Sequence, residues 1–150
     1  MEKYNLIILG SGPGGYVAAI RASQLGLKTA IIEKENLGGI CLNWGCIPTK
    51  ALLKSAQVFN YLKKASDYGL KINGYEKDFK SIINRSRNIS NSMSDGVKFL
   101  MKKNKIDIIE GHGKILNGKI VEVENNKKKT IFEADNIIIA TGARSRELKN

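Results

Sequence analysis

The feature that most constrains this chain is a glycine run, Gly10-Ser11-Gly12-Pro13-Gly14-Gly15, set between two apolar segments of different period. Before it, Tyr4-Asn5-Leu6-Ile7-Ile8-Leu9 is short, rich in branched side chains and stopped by Gly10, the pattern of a strand buried on both faces. After it, Val17, Ala18, Ile20, Ala22 and Leu25 recur at helical spacing, and Gly26 stands where a left-handed cap ends a helix. Lys28-Thr29-Ala30-Ile31-Ile32-Glu33 then reads as a second buried strand. Strand, helix and strand within about 30 residues make one parallel crossover unit, which winds right-handed. In that setting Gly10 allows the tight turn, Gly12 lets a diphosphate reach the backbone, and Gly15 lets the helix pack close to the strand. The helix N-terminus adds unpaired N–H groups and a partial positive charge, worth about 0.3–1 kcal/mol to an exposed anion.

Glu33 completes the pattern. It ends the second strand 23 residues beyond Gly10, where a carboxylate can accept from both hydroxyls of an adenosine ribose. An unphosphorylated 2′-hydroxyl is expected, hence FAD or NAD rather than NADP. Further on, Asn36 to Gly45 reads as a glycine-marked loop. A helix follows through Leu62 with Pro48 in its first turn, and another runs from Asp78 to about Lys103 with Phe79, Ile82, Ile83, Ile89, Met93, Val97, Leu100 and Met101 on one side. Ile106–Glu110, Lys114–Leu116, Lys119–Glu124 and Thr130–Ala134 read as strands, with hairpin signals at Asn117-Gly118 and at the Asn-Lys turn. Asn136-Ile137-Ile138-Ile139-Ala140 reads as a separate, fully buried strand. The expected fold is α/β: a doubly wound, Rossmann-like unit of parallel sheet with helices, plus a small antiparallel β layer.

Composition limits the alternatives. Hydrophobic residues make up 42% and charged residues 26% of 150, a globular balance for one domain. No apolar run approaches the roughly 20 residues of a membrane span, so no membrane partner is expected. Glu2 occupies what would be the basic start of a secretory signal, and a cytoplasmic location is expected. The net charge of +11 raises the question of nucleic acid, but the excess is scattered downstream of residue 50. Its densest cluster, Lys127-Lys128-Lys129, follows Asn125-Asn126 as a hairpin tip would, and Tyr61, Tyr68, Tyr75 and Phe79 are spaced as core or helix-face residues. No nucleic-acid partner is expected.

Both cysteines lie in Cys41-Leu42-Asn43-Trp44-Gly45-Cys46. Two thiols and the distant His112 fall short of a closed zinc site, so no metal is expected. Inert buried thiols, a small structural crosslink and a redox pair remain as readings. The redox reading has geometric conditions. Residues five apart point away from each other on a continuous helix, so Cys41 must lie on an irregular turn, which Gly45 permits. Cys46 should begin a helix, where amide dipoles and Lys50 one turn on favour a thiolate. His112 reads as a solvated turn residue.

The run Gly38-Gly39-Ile40-Cys41-Leu42-Asn43-Trp44-Gly45-Cys46-Ile47-Pro48-Thr49-Lys50 resembles the redox segment of the flavoprotein pyridine nucleotide-disulfide reductases. Leu42-Asn43 and Ile47-Pro48-Thr49-Lys50 are most similar to the dihydrolipoamide dehydrogenase branch; glutathione and mercuric reductases usually carry Val-Asn-Val between the cysteines. Ile138-Ile139-Ala140-Thr141-Gly142-Ala143 is similar to the motif closing the family's first FAD-binding segment. The resemblance implies Cys41 as interchange thiol, Cys46 as the thiol facing the flavin, and Lys50 at the flavin edge. It implies Gly14, Lys34, Gly38, Gly39, Thr141 and Gly142 along FAD, with Gly113 at the adenine. His112 does not match the family's catalytic base.

There is no second G-x-G-x-x-G and no His-x-x-x-x-Glu. Residues 1–150 are therefore expected to be the N-terminal part of an FAD-binding domain, with the NAD-binding and dimer-interface domains absent and no turnover by this part alone. For the intact enzyme the resemblance implies NAD as co-substrate, a homodimer, and as partner the lipoyl group of a 2-oxo acid dehydrogenase or related multienzyme complex. The alternatives are another disulfide reductase, of mercuric or glutathione type, or a dinucleotide-binding module with inert thiols.

Overall fold

Strand β1 (Glu2–Leu9) lies at the centre because its side chains alternate between two cores. In chain order there follow α1 (Pro13–Gln24), β2 (Thr29–Glu33), α2 (Gly39–Asn43), α3 (Cys46–Lys63), a 3-10 turn at Ala65–Tyr68, α4 (Phe79–Lys103), β3 (Asp107–Glu110), β4 (His112–Ile115), β5 (Ile120–Asn125) and β6 (Lys128–Ile139). The computed structural model describes residues 1–146 and 148. The strands form one sheet in the order β3-β2-β1-β6-β5-β4, parallel from β3 to β6 and antiparallel from β6 to β4.

Tyr4, Ile7 and Leu9 of β1, with Ala30 and Ile32 of β2, face Val121, Val123 and Phe132 of the antiparallel part. Leu6, Ile8 and Ile31 face Ala19 and Ala22 of α1 and Val97 and Met101 of α4. Each fully buried Ile in this arrangement contributes about 1.5–3 kcal/mol of apolar burial. Both helices that pack on the parallel sheet lie on one face, so the double winding expected from sequence is replaced on the other face by the β4–β5–β6 meander. The meander doubles back so closely that a Cβ on Gly113 would stand 2.7 Å from Leu9 Cδ2.

Four local expectations need correction. Asn136–Ala140 is not a separate, fully buried strand: it continues Thr130–Ala134 as β6, paired with β1 from Phe132 to Ile139. Pairing with β5 stops at Glu133, so the last part of β6 is edge strand there, and Ile139 is 68% exposed. The apolar residues expected along one side of the long helix do not all sit inside. Val97 and Met101 are buried, whereas Phe79, Ile83, Met93 and Leu100 are exposed and Ser86 and Ser90 are buried instead. Tyr61, Tyr68, Tyr75 and Phe79 are exposed, with Tyr61 edge-on to Tyr68 and Tyr75 edge-on to Phe59. His112 is exposed but opens β4, opposite Glu124, rather than lying in a turn. The hairpin expectations hold: Lys119 beside Gly118, and Asn126 with Lys127, take positive φ at the two strand reversals.

Candidate dinucleotide and dithiol site

The site lies at the carboxyl ends of β1, β2 and β6, where the chain winds from β1 to β2 on one side and later returns to β6 on the other. That is the switch point at which parallel α/β sheets open a crevice. Gly10 N–H donates to Ile32 O at 2.8 Å and Ala140 N–H to Leu9 O at 2.8 Å, so three strand ends converge. Gly10 has φ +97°, and a side chain there would strike the Ala140 carbonyl. A Cβ on Gly15 would overlap the Gly10 carbonyl oxygen, which is why α1 can seat on the turn only with glycine at that position. The same relation joins the loop to the cysteine segment: a Cβ on Gly39 would stand 2.6 Å from Gly12 Cα. Gly14 has nothing within 4 Å of a Cβ and lies on the open side of the first helical turn.

Glu33 projects from the end of β2 into this corner. Ser11 donates to its Oε2 through both N–H at 3.0 Å and Oγ at 2.6 Å. The amides of Lys34 and Glu35 donate to Oε1 at 2.9 and 3.0 Å. Burial pushes the carboxyl up, but the hydrogen bonds from Ser11, Glu35 and Lys34 outweigh it and hold Glu33 below its ordinary value. A carboxylate has about four lone-pair positions, so all are engaged by protein donors. A ribose hydroxyl would reach Glu33 by exchanging with one of them. Ser11, 0% exposed, also accepts from Gly38 N–H, at 3.0 Å on its carbonyl and 3.3 Å on Oγ, tying the carboxylate to the start of the cysteine segment.

The cysteine segment is not the loop expected. Gly39–Asn43 forms α2, five residues long, so Cys41 sits on a short helix and the irregular turn falls at Trp44-Gly45. Cys46 begins α3, as expected. Gly45 permits the reversal by close approach: a Cβ there would lie 3.1 Å from Ile40 O and 3.4 Å from Cys41 Cα. Cys41 is half-buried and Cys46 exposed, both as free thiols. The Cys46 side chain, as hydrogen-bond partner, and then burial push the Cys41 thiol up; the Cys46 N–H and the Lys50 charge oppose them only in part. The two thiols thus stand on either side of the Trp44-Gly45 break, one on α2 and one at the start of α3.

A cavity of about 260 Å³ runs from Glu33 and Lys34 past Gly10 and Gly12 to Gly39, Cys41 and Trp44, closed on its far side by Thr141 and Gly142. A second, of about 170 Å³, adjoins it through Gly10, Glu33, Lys34 and Thr141 and is floored by Gly113. Gly10, Gly12, Glu33, Lys34, Gly39, Cys41, Gly113, Thr141 and Gly142 are therefore brought together. Gly15 and Gly38 are buried beneath the site, while Gly14, Cys46 and Lys50 line neither cavity. Larger hollows along α3 and α4 carry neither glycine loop nor thiol. An open glycine backbone, a carboxylate at one end and a thiol at the other fit a dinucleotide carrying a redox ring. Among the described residues no cluster of three metal-ligating side chains occurs, and no helix is long and apolar enough to cross a membrane.

Sequence reasoning missed three participants. Ser11 is an unremarked position within the glycine motif, and only burial reveals its role. Asn43 is 6% exposed and its amide bonds the Leu37 and Gly39 carbonyls, each at 3.0 Å; its place between the cysteines was the one available signal. Arg144 pairs with Glu35 beside the cavity, a link between segments 109 positions apart that no local pattern announces.

Comparison with known proteins agrees with this geometry. The family model for pyridine nucleotide-disulphide oxidoreductases matches residues 4–150. The chain is 55% identical to the dihydrolipoyl dehydrogenase of Rhizobium etli, over 98% of this chain and 34% of that protein. It is 51% identical to the one from Zymomonas mobilis, over 99% and 32%. It thus spans about a third of the length of the curated relatives it matches. Among solved structures it is similar to the Cu(II) complex of the HOCl-induced flavoprotein disulfide reductase RclA of Escherichia coli. The TM-score is 0.82 and the identity 27%, over 99% of this chain and 30% of that one. With its glycine corner, convergent strand ends and matching sequence over nearly its whole length, the chain belongs to the pyridine nucleotide-disulphide oxidoreductase family.

Proposed function

We propose that these residues form the first FAD-binding part of a flavin-dependent disulfide oxidoreductase of the dihydrolipoyl dehydrogenase type, which oxidises a dihydrolipoyl dithiol and delivers the electrons to NAD. One observation carries the reading: Cys41 lies at one end of a cavity whose other end is the Glu33 carboxylate, and Cys46 begins the next helix just beyond the Trp44-Gly45 break. When bound, FAD supplies the two-electron carrier between the thiols and NAD.

In this reading Cys41 is the interchange thiol. In the oxidised pair a substrate thiolate attacks the Cys41 sulfur, the Cys41–Cys46 bond breaks, and the second substrate thiol, losing its proton, displaces Cys41. Substrate leaves as a disulfide and the protein keeps two electrons on the thiol pair. Cys46, at the start of α3, faces the flavin, and Lys50 one turn on supplies positive charge beside it. Gly10, Gly12, Gly14, Gly15, Gly38 and Gly39 shape the pyrophosphate path, Glu33 and Lys34 hold the adenosine ribose, Gly113 meets the adenine, and Thr141 with Gly142 closes the far wall. The partner is the lipoyl group of a 2-oxo acid dehydrogenase complex, the intact protein a homodimer, and the compartment the cytoplasm, where thiols remain reducible.

The test is spectroscopic. Protein loaded with FAD and reduced anaerobically should develop long-wavelength charge-transfer absorption, and Cys46→Ser should abolish it. A spectrum indifferent to that substitution would refute the assignment and leave a dinucleotide-binding module with inert thiols.

A further inference from the structure

The helix that carries Cys41 does not hold itself in place. Helices of five residues are far below the length at which propagation repays nucleation, and their last carbonyls have no internal partners. Besides the Gly38 bonds to Ser11 and the Asn43 amide bond to Gly39 O, the bonds that fix α2 come from α4. Ser94 Oγ shares its proton between Leu37 O at 2.7 Å and Asn43 Oδ1 at 3.0 Å. Arg87 Nη1 donates to the Asn43 carbonyl at 3.0 Å. The same helix grips the beginning of α3, where Cys46 lies: Ser86 Oγ donates to Pro48 O at 3.2 Å and Arg85 Nη1 to Ala51 O at 2.9 Å. One helix thus bonds both the α2 segment, which carries Cys41, and the first turns of α3, which begins at Cys46.

We propose that α4 is the positioning element of the thiol pair, setting the approach of Cys41 to Cys46 through Ser94 and Arg87 on one side and Ser86 on the other. Ser86, Ser90 and Ser94 are successive turns of one helix face, so their spacing along α4 fixes where the two anchors fall. The middle residue has no such duty. Ser90 is 2% exposed, and its hydroxyl has no partner among the described residues. The inference deepens the redox reading and rests on it.

The test uses the full chain without cofactor, equilibrated anaerobically in glutathione buffers, acid-quenched and read by mass spectrometry. Oxidation forms the Cys41–Cys46 bond, breaks the glutathione disulfide and yields two glutathione thiols, so protons and electrons balance. Ser94→Ala and Arg87→Gln should each lower the equilibrium constant for the internal disulfide about tenfold, or about 30 mV in potential. Ser94→Thr, which keeps the hydroxyl, and Ser90→Ala should stay within about twofold of wild type, because only positioning bonds set the effective concentration of one thiol at the other. Arg87 is exposed, so Arg87→Gln decides the matter if Ser94→Ala does not fold. An equilibrium unchanged, or moved toward the disulfide, in folded variants whose melting midpoint drops would overturn the proposal and leave α4 a purely structural support. A wild-type chain that forms no internal disulfide at any buffer ratio would instead overturn the redox reading, and this inference with it.

Discussion

Ser11 and Glu33 show how one buried hydroxyl can serve a charged group that sequence patterns had already singled out. The hydroxyl is donated to Glu33 Oε2 at 2.6 Å, and removing it takes away one of four donors that hold the carboxyl below its ordinary value. Because the folded value lies beneath the unfolded one, near 4.3, this stabilisation is complete above about pH 5 and is lost as pH falls through the folded value. Ser11→Ala should raise the folded value and so reduce the stabilisation. The expected cost near neutral pH is about 1 kcal/mol, below the usual range of about 1.5–3 for a hydrogen bond to a charged group because Glu33 is only half-buried. Urea midpoints of wild type and variant should therefore differ most near neutrality and converge on acidification below pH 4.3. A gap that stayed constant would mean that Ser11 acts by packing alone.

At the scale of elements, α4 carries two unlike halves, which explains why its apolar stripe misled. Near its end Val97 and Met101 seat on the sheet core. From Arg85 to Ser94 it faces the α2 segment and the start of α3 through serines and arginines, because what it must satisfy there is backbone around the helix break. Between these regions Gly96 lies within the helix with nothing within 4 Å of a Cβ. Gly96→Ala should therefore stabilise the protein by about 0.5–1 kcal/mol, through helix propensity and a less flexible unfolded chain. Thermal unfolding measures this, and a loss of stability would show that the position is less open than its surroundings indicate. The thiol equilibrium should not move, since Gly96 makes none of the anchoring bonds.

For the whole molecule, the decisive fact is that β1 serves both cores at once. Ile7 points to the meander and Ile8 to the helices, each fully buried. Ile7→Ala and Ile8→Ala should each cost about 2–5 kcal/mol. If the three layers form one cooperative unit, both substitutions should shift a single urea transition that far-UV circular dichroism and Trp44 fluorescence report together. Separate transitions by the two probes in either variant would show that the layers unfold independently. The corner that holds the candidate site belongs to this same unit, since Gly10, Glu33 and Ala140 continue the three strands that meet at β1.

What the sequence determined by itself is whatever local patterning controls. The first strand, helix and strand, the helix start at Cys46 and both hairpin turns follow from period, capping and turn chemistry within a few residues. So do the glycine corner and Glu33, because a tight turn beside a helix end leaves few residue types able to fit. Tertiary structure alone decided which exposed or buried environment each segment met. Ile138 and Ile139 read as core, yet pairing with β5 stops short of them; the serines of α4 stand outside its apolar pattern, yet Ser86 and Ser94 meet Pro48 O, Leu37 O and Asn43 Oδ1. The reason is that burial and hydrogen-bond pairing belong to neighbours tens of residues away. For the same reason Ser11, Asn43 and Arg144 become legible only after the strand ends and α4 have been brought together.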